Sequence, residues 1–146
     1  MPTPWKRVRL GFSAAVISVL VFHQGMWGLL YLVGLMPPPF PTWAVPPFGV
    51  PEIINLCFWG GMWGAVFGLI LPWLPASSSM WVRGLGLGVV ASMVSLFVVP
   101  IIKDQPIAGG WSANTFLITF LIVGCWGVGL GVILRLLMHP PPGRPV

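Results

Sequence analysis

The chain has 146 residues, of which 57% are hydrophobic and only 6% charged. Soluble domains carry roughly 25% charged residues, so this chain lacks the polar side chains that would coat a water-soluble core. The composition excludes an ordinary soluble domain and predicts an integral membrane protein with the lipid bilayer as its first partner. The net charge of +5 does not indicate nucleic-acid binding, because the cations are too few and too scattered to follow a phosphate backbone.

Four apolar stretches reach or approach the roughly 20 residues that a transmembrane helix needs. They are residues 10–36, 52–71, 84–102 and 114–138. Backbone groups in lipid must be satisfied within their own segment, and runs of this length do not fit the shorter strands of a β-barrel. The sequence therefore predicts an all-α fold, a single membrane domain formed by a bundle of four transmembrane helices.

The cations group on one side of this predicted topology. Four spans place the N-terminus, the loop between the second and third spans, and the C-terminus on the same side. The cations on that side are Lys6, Arg7, Arg9, Arg83, Arg135 and Arg144. The opposite side has Lys103 beside Asp104, together with Glu52 at the start of the second span. Because cytoplasmic loops are enriched in lysine and arginine, both termini are predicted to be cytoplasmic.

The first span contains His23 and Gln24 near its centre. Ionisable residues inside a membrane are costly and are therefore candidates for function. His23 is a candidate ligand of haem or chlorophyll, a proton relay or a substrate-holding group, and Trp27 lies one turn further on, beside such a ligand. The simpler interpretation is a structural hydrogen bond to a neighbouring helix. A haem held by two histidines is not expected, because His139 lies beyond the last span.

The loop 37–51 contains seven prolines and no charge, with Phe40, Trp43 and Phe48 among them. A solvated linker would be polar, so this loop is predicted to be stiff and apolar. It is expected to lie along the outer membrane interface or to pack against another polypeptide. The tail 139–146 is predicted to be a short extended cytoplasmic end.

Small residues recur at spacings of three and four in every span, and in lipid such faces let helix backbones approach closely. In the first span the stripe begins with Gly11, Ala14 and Ser18. The glycines predicted to pack helices are Gly25, Gly28, Gly60, Gly64, Gly68, Gly84, Gly88, Gly124, Gly127 and Gly131. If small residues cover more helix surface than the packing of four helices requires, the excess would indicate a homo-oligomer or other membrane subunits.

The chain offers no predicted catalytic or metal-binding residue. Serine or cysteine nucleophiles lack a histidine and an acid at similar depth, and metal-ligand spacings of histidine, cysteine or carboxylate are absent from the sequence. The chain is therefore not expected to be an enzyme.

Three motifs resemble those of a family of small four-span inner-membrane proteins of proteobacteria. They are Phe22-His-Gln-Gly25, Pro46-Pro-Phe-Gly-Val-Pro51 and Phe58-Trp-Gly-Gly-Met-Trp-Gly64. The resemblance covers the first two spans and their loop. It implies a bacterial inner-membrane location and points to His23, Gln24 and the proline loop as the working region, but it brings no assigned activity.

These observations predict a non-catalytic accessory or structural subunit of an oligomer or a larger membrane complex. Two alternatives stay open. One is a small oligomeric transporter or channel with His23 and Gln24 lining its path. The other is a haem- or chlorophyll-binding subunit that uses His23 as a ligand.

Overall fold

The computed structural model describes residues 2–139 of the chain. Within that range it shows the predicted all-α fold, with four helical spans long and apolar enough to cross a membrane. They are Pro4–Leu32, Glu52–Trp73, Met80–Ile102 and Ala113–Met138. The predicted tail lies outside the described residues from residue 140 onward, and Arg144 with it.

Several of these spans contain more than one element. In chain order the elements are α1 (Pro4–Ser18), a π-helical segment (Val19–His23), α2 (Gln24–Leu32), β1 (Ala44–Val45), β2 (Val50–Pro51), α3 (Glu52–Ile70), a 3-10 turn (Leu71–Trp73), α4 (Met80–Phe97), α5 (Val99–Ile102), α6 (Ala108–Trp111) and α7 (Ala113–Met138). The last helix is capped by Ser112, whose Oγ accepts a hydrogen bond from the backbone N–H of Thr115 at 3.5 Å.

The first span is displaced toward the N-terminus from its predicted bounds. It begins at Pro4 because the Thr3 hydroxyl caps the helix and proline suits the first helical position. It ends at Leu32 because Gly34 adopts a φ of 79° and the N–H of Leu35 bonds to Leu30 O at 2.9 Å. This is a Schellman ending, in which a glycine supplies the left-handed residue.

The spans pack as two antiparallel pairs, α1 with α3 and α4 with α7. Gly11 faces Gly64 in the first pair, and Gly84 faces Gly127 in the second. The pairs are joined along α1 and α7, whereas α3 and α4 share no comparable interface within residues 2–139. Chain connectivity thus matches packing, because each span lies against its neighbour in sequence within a pair.

Glycine lets the two helices of each pair approach each other closely. A Cβ added at Gly64 or Gly127 would overlap the backbone carbonyl of the glycine opposite, so no larger residue fits without separating the helices. The predicted packing glycines that lie in or beside the two contacts are Gly60, Gly64, Gly68, Gly84, Gly88, Gly124, Gly127 and Gly131. Three further buried glycines that also lie at helix contacts are Gly11, Gly61 and Gly129.

Gly25 and Gly28 depart from the predicted packing stripe of the first span. Gly25 is exposed, with nothing within 4 Å of the position of an added Cβ, and Gly28 has only a ring carbon of Pro39 within that distance. The π-helical segment explains the break, because a π turn contains more residues than an α turn and rotates the faces of all later residues.

The α1–α7 contact contains two crossed hydrogen bonds. Ser18 Oγ donates to the carbonyl of Trp126 at 2.7 Å, and the indole N–H of Trp126 donates to the carbonyl of Ala15 at 3.2 Å. Ser18 is fully buried and Trp126 nearly so. The two pairs are therefore fastened through polar groups as well as apolar packing.

The antiparallel arrangement gives the bundle two chemically different ends. The terminal end contains the start of α1 and the end of α7, and the hairpin end contains β1 and β2. The described cations of the terminal end are Lys6, Arg7, Arg9, Arg83 and Arg135. Both acidic residues of the chain, Glu52 and Asp104, lie toward the hairpin end beside Lys103.

Candidate functional site

His23, Gln24 and Trp27 are buried, with exposed fractions of 9%, 1% and 8%. They lie closer to the hairpin end than the sequence predicted. Because the span runs from Pro4 to Leu32, its midpoint falls at Ser18, and His23 is about 7 Å beyond that at 1.5 Å per residue. The polar cluster thus lies beneath the hairpin, past the midpoint of the helical span.

The side-chain amide of Gln24 is held from both sides. Its Oε1 accepts a hydrogen bond from the backbone N–H of Phe40 at 2.6 Å, and its Nε2 lies 3.3 Å from Nδ1 of His23. A backbone N–H only donates, so the oxygen of the amide faces Phe40 and its NH2 group faces His23. Since that NH2 group also only donates, Nδ1 of His23 accepts and the neutral ring carries its proton on Nε2.

Trp27 makes a second attachment to the same loop. Its indole N–H donates to the carbonyl of Pro37 at 2.8 Å. Its ring lies 6.0 Å from the ring of His23 and 6.3 Å from that of Trp43, both in tilted contacts. A buried indole N–H needs a partner, and here the loop backbone supplies it.

The loop is a small hairpin tied to two helices. Ala44 pairs with Pro51 and Val45 with Val50 in an antiparallel register. The N–H of Glu52 bonds to Trp43 O at 3.0 Å, which fixes the hairpin to the start of α3. The loop 37–51 is therefore held by backbone pairing and by attachment to α3.

The surface that this loop presents is apolar. We define the hairpin surface as Phe40, Trp43, Phe48 and Val50, whose side chains are between 36% and 88% exposed. Phe48 at the tip is the most exposed of them, at 88%. Large apolar side chains held out on a fixed backbone are typical of contacts with a membrane or another protein.

The proton arrangement bears on His23 as a cofactor ligand. A histidine that binds a metal through Nε2 needs a free electron pair there and commonly donates its Nδ1–H to a carboxylate or carbonyl. Because the bond to Phe40 turns the NH2 group of Gln24 toward His23, Nδ1 is the acceptor and the proton is assigned to Nε2. The geometry does not favour haem or chlorophyll coordination through His23.

Arg7 has a role beyond the predicted orientation signal. It is only 8% exposed, and its Nε donates to Gly68 O at 3.2 Å while Nη1 donates to Pro2 O at 2.7 Å. Gly68 lies in the last turns of α3, where carbonyls lack helical partners and a cation is favoured by the helix dipole. Arg7 therefore fastens the ends of α1 and α3 together.

Sequence reasoning identified Gln24 and Trp27 but missed their partners. Those partners are the backbone N–H of Phe40 and the carbonyl of Pro37, and backbone groups leave no trace in a residue pattern. The positive φ of 57° at Phe40 turns the chain there and was equally invisible, because such values are uncommon outside glycine and asparagine.

Comparison of the chain with protein-family models, curated proteins and solved structures finds no match. Within residues 2–139, no group of three or more His, Cys, Asp or Glu residues is arranged to hold a metal ion. The candidate site is therefore interpreted from its own geometry, in which buried polar side chains of the first span hold an apolar hairpin in place.

Proposed function

We propose that this chain is a non-catalytic multi-span protein of the bacterial inner membrane that acts as an accessory or structural subunit of an oligomer or larger complex. In this proposal the terminal end faces the cytoplasm, since it holds all the described cations except Lys103. The hairpin end then faces the periplasm. Membership of the proteobacterial four-span family is part of the same proposal.

The observation that carries the proposal is the fixed, apolar hairpin surface. Phe48 is 88% exposed at its tip, while the backbone behind it is bonded to Gln24, Trp27 and α3. A preorganised surface loses little conformational entropy on binding, so it is suited to recognition of a partner. Its lack of charge favours an apolar partner surface at the membrane interface over a soluble polar one.

The glycine-lined helix faces are weaker evidence for an oligomer than the sequence composition alone indicates. Most of the predicted packing glycines lie in the α1–α3 and α4–α7 contacts, so they are used inside one chain. Within the four helical spans, Gly25 and Gly86 are the exposed glycines without a neighbour within 4 Å of an added Cβ. The hairpin surface is therefore the stronger candidate for the contact with a second copy or another subunit.

The transporter alternative assigns His23 and Gln24 to a permeation path. Both side chains are buried and bonded, so solute passage along them would require the Gln24–Phe40 bond to open. Solute flux into proteoliposomes that is lost on His23→Ala would support this alternative over the subunit proposal. A Soret or chlorophyll band in the natively purified protein would support the cofactor alternative.

The subunit proposal is tested by the mass of the assembly extracted from native membranes. Phe48→Ala removes the tip of the hairpin surface, and Trp73→Ala removes an aromatic side chain of similar exposure, 78%, at the terminal end. We expect the unmodified chain and Trp73→Ala to purify as a complex larger than the 15.8 kDa monomer, and Phe48→Ala to lose it. An unmodified chain that purifies as a lone monomer contradicts the proposal.

A further inference from the structure

A polar cleft opens between the third and fourth spans toward the hairpin end, away from the His23 cluster. It has a volume of about 350 Å³, within the roughly 300–1,000 Å³ range of small-molecule sites. Its polar lining consists of Ser95, Gln105, Thr115 and Thr119, and its walls are completed by Leu96, Pro100, Pro106 and Gly109. The lining residues carry hydroxyl and amide groups and no charge.

These polar groups lie inside the membrane-spanning part of the chain. Ser95 is about 10 Å along its helix from Ile102, and Thr119 is about 9 Å from Ala113, at 1.5 Å per residue. Ser95 and Thr119 both line the cleft, and Ser95 is exposed there. A hydroxyl in an apolar environment gains from a hydrogen-bond partner, and an acceptor atom that enters the cleft can provide one.

An aromatic cluster marks the depth of the cleft. The ring of Trp111 lies 5.8 Å from that of Phe97 and 6.2 Å from that of Phe116, and Trp111 is 71% exposed. Exposed tryptophan is enriched where a membrane meets water, near the headgroups. Gly109 and Thr115 of the cleft lining flank Trp111 in the chain, so a membrane with its headgroups at Trp111 would bring phospholipid ester groups near the cleft.

The wall of the cleft is built from strained backbone. All four residues of α6, Ala108–Trp111, have φ between 51° and 71°, so this single turn winds left-handed. Alanine and tryptophan rarely adopt that conformation, and such outliers concentrate at ligand-binding sites. The turn brings Gly109 so close to Thr115 that an added Cβ would lie 2.6 Å from the threonine hydroxyl.

We propose that this cleft binds the glycerol–ester region of a membrane lipid in the leaflet at the hairpin end. The Ser95 and Thr119 hydroxyls donate to the ester carbonyl oxygens, and the Gln105 amide is placed at the mouth for the glycerol oxygens. An uncharged lining suits esters better than phosphate, which recruits arginine and lysine. Ser95 is exposed on α4, so a lipid enters sideways from the bilayer.

The same glycerol–ester chemistry occurs in phospholipids and in diacylglycerol, so the test uses both. Purified full-length chain in detergent micelles is titrated with a phosphatidylethanolamine, with diacylglycerol of the same acyl chains, and with the diether analogue of the phospholipid. Bound lipid is counted by native mass spectrometry. We expect one tightly bound molecule of either diester, and several-fold weaker binding of the diether, which has no carbonyl acceptors.

Variants locate the site. Hydrogen bonds between polar groups in membranes average about 0.6 kcal/mol, which is a factor of about three in affinity. Ser95→Ala combined with Thr119→Val is therefore expected to weaken diester binding about tenfold, while Ser13→Ala, an exposed serine on α1, leaves it unchanged. Equal binding of diester and diether, a requirement for the phosphate headgroup, or unchanged binding by the double variant would each overturn the proposal.

Discussion

Gln24 shows how one polar side chain inside a span fixes structure outside it. An amide buried without hydrogen bonds costs several kcal/mol in an apolar environment, so its presence there requires partners. The partners are the backbone N–H of Phe40 and the ring of His23. The side chain that the sequence marks as a possible ligand-binding group is therefore engaged in holding the hairpin.

Replacing Gln24 with leucine keeps the volume and removes both hydrogen bonds. The N–H of Phe40 would lose its acceptor, and because this bond is only partly buried we expect a penalty of about 1 kcal/mol. We expect faster amide hydrogen exchange at Phe40 in nanodiscs and a lower unfolding temperature. Asn114→Leu, at an exposed amide near the start of α7, is the control and should leave exchange at Phe40 unchanged. Unchanged exchange in Gln24→Leu would show that its bond to Phe40 has no role.

The Trp126 indole provides a second prediction for a single residue. Trp126→Phe removes its bond to the carbonyl of Ala15 while keeping an aromatic ring between α1 and α7. We expect a loss of about 1 kcal/mol in unfolding free energy, measured by denaturation in mixed micelles. Trp59→Phe, at a side chain 59% exposed, should change it by much less. Equal losses of unfolding free energy in the two variants would show that the indole hydrogen bond of Trp126 does not stabilise the bundle.

At the scale of the elements, the two helix pairs depend on glycine where backbones touch. Gly84 and Gly86 lie on the same helix, yet an added Cβ meets the backbone of α7 at Gly84 and nothing within 4 Å at Gly86. Glycine in the middle of a helix is otherwise unfavourable relative to alanine. The close contact between α4 and α7 therefore requires glycine at position 84 but does not require it at position 86.

Alanine substitution separates these two cases. Gly84→Ala is expected to destabilise the bundle by about 1–3 kcal/mol, because the methyl group pushes α4 away from α7. Gly86→Ala should be neutral or stabilising by up to about 1 kcal/mol. Unfolding free energies of the two variants in the same micelles make the comparison. A destabilising Gly86→Ala of similar size would show that the loss does not depend on contact with α7, and it would contradict this explanation.

The sequence predicted the elements whose signal is local. Apolar length located all four spans. It could not predict the π-helical segment Val19–His23, because the apolar residues there have no distinctive spacing. That one irregularity moved Gly25 and Gly28 off the packing face. The pairing of β1 with β2 was also missed, since seven prolines in the loop suppress any strand pattern.

At the scale of the whole molecule, the two ends differ in charge. Lys6, Arg9 and Arg135 are exposed at the terminal end, whereas the hairpin end carries both acids and Lys103. The cations share one end because the antiparallel spans bring both the start of the first span and the end of the last span there. They do not need to contact one another. By the positive-inside bias, the terminal end is expected in the cytoplasm.

Cysteine labelling in intact cells checks this orientation. In a background with Cys57 and Cys125 changed to serine, a cysteine at Phe48 is expected to react with a membrane-impermeant maleimide added outside. A cysteine at Ser77, in the loop between the second and third spans, should react only after the membrane is opened. The reverse pattern would place the hairpin in the cytoplasm and contradict the proposed topology.

The central claim is that buried polar residues of the first span hold an apolar hairpin for a protein partner. Its most direct test is a photo-crosslinking amino acid at Phe48 in living cells, with the same group at Trp73 as the control. The account predicts one discrete protein adduct at position 48, absent at position 73 and weakened by Gln24→Leu. Lipid adducts alone at position 48 would show that the hairpin contacts only the membrane and would contradict the account.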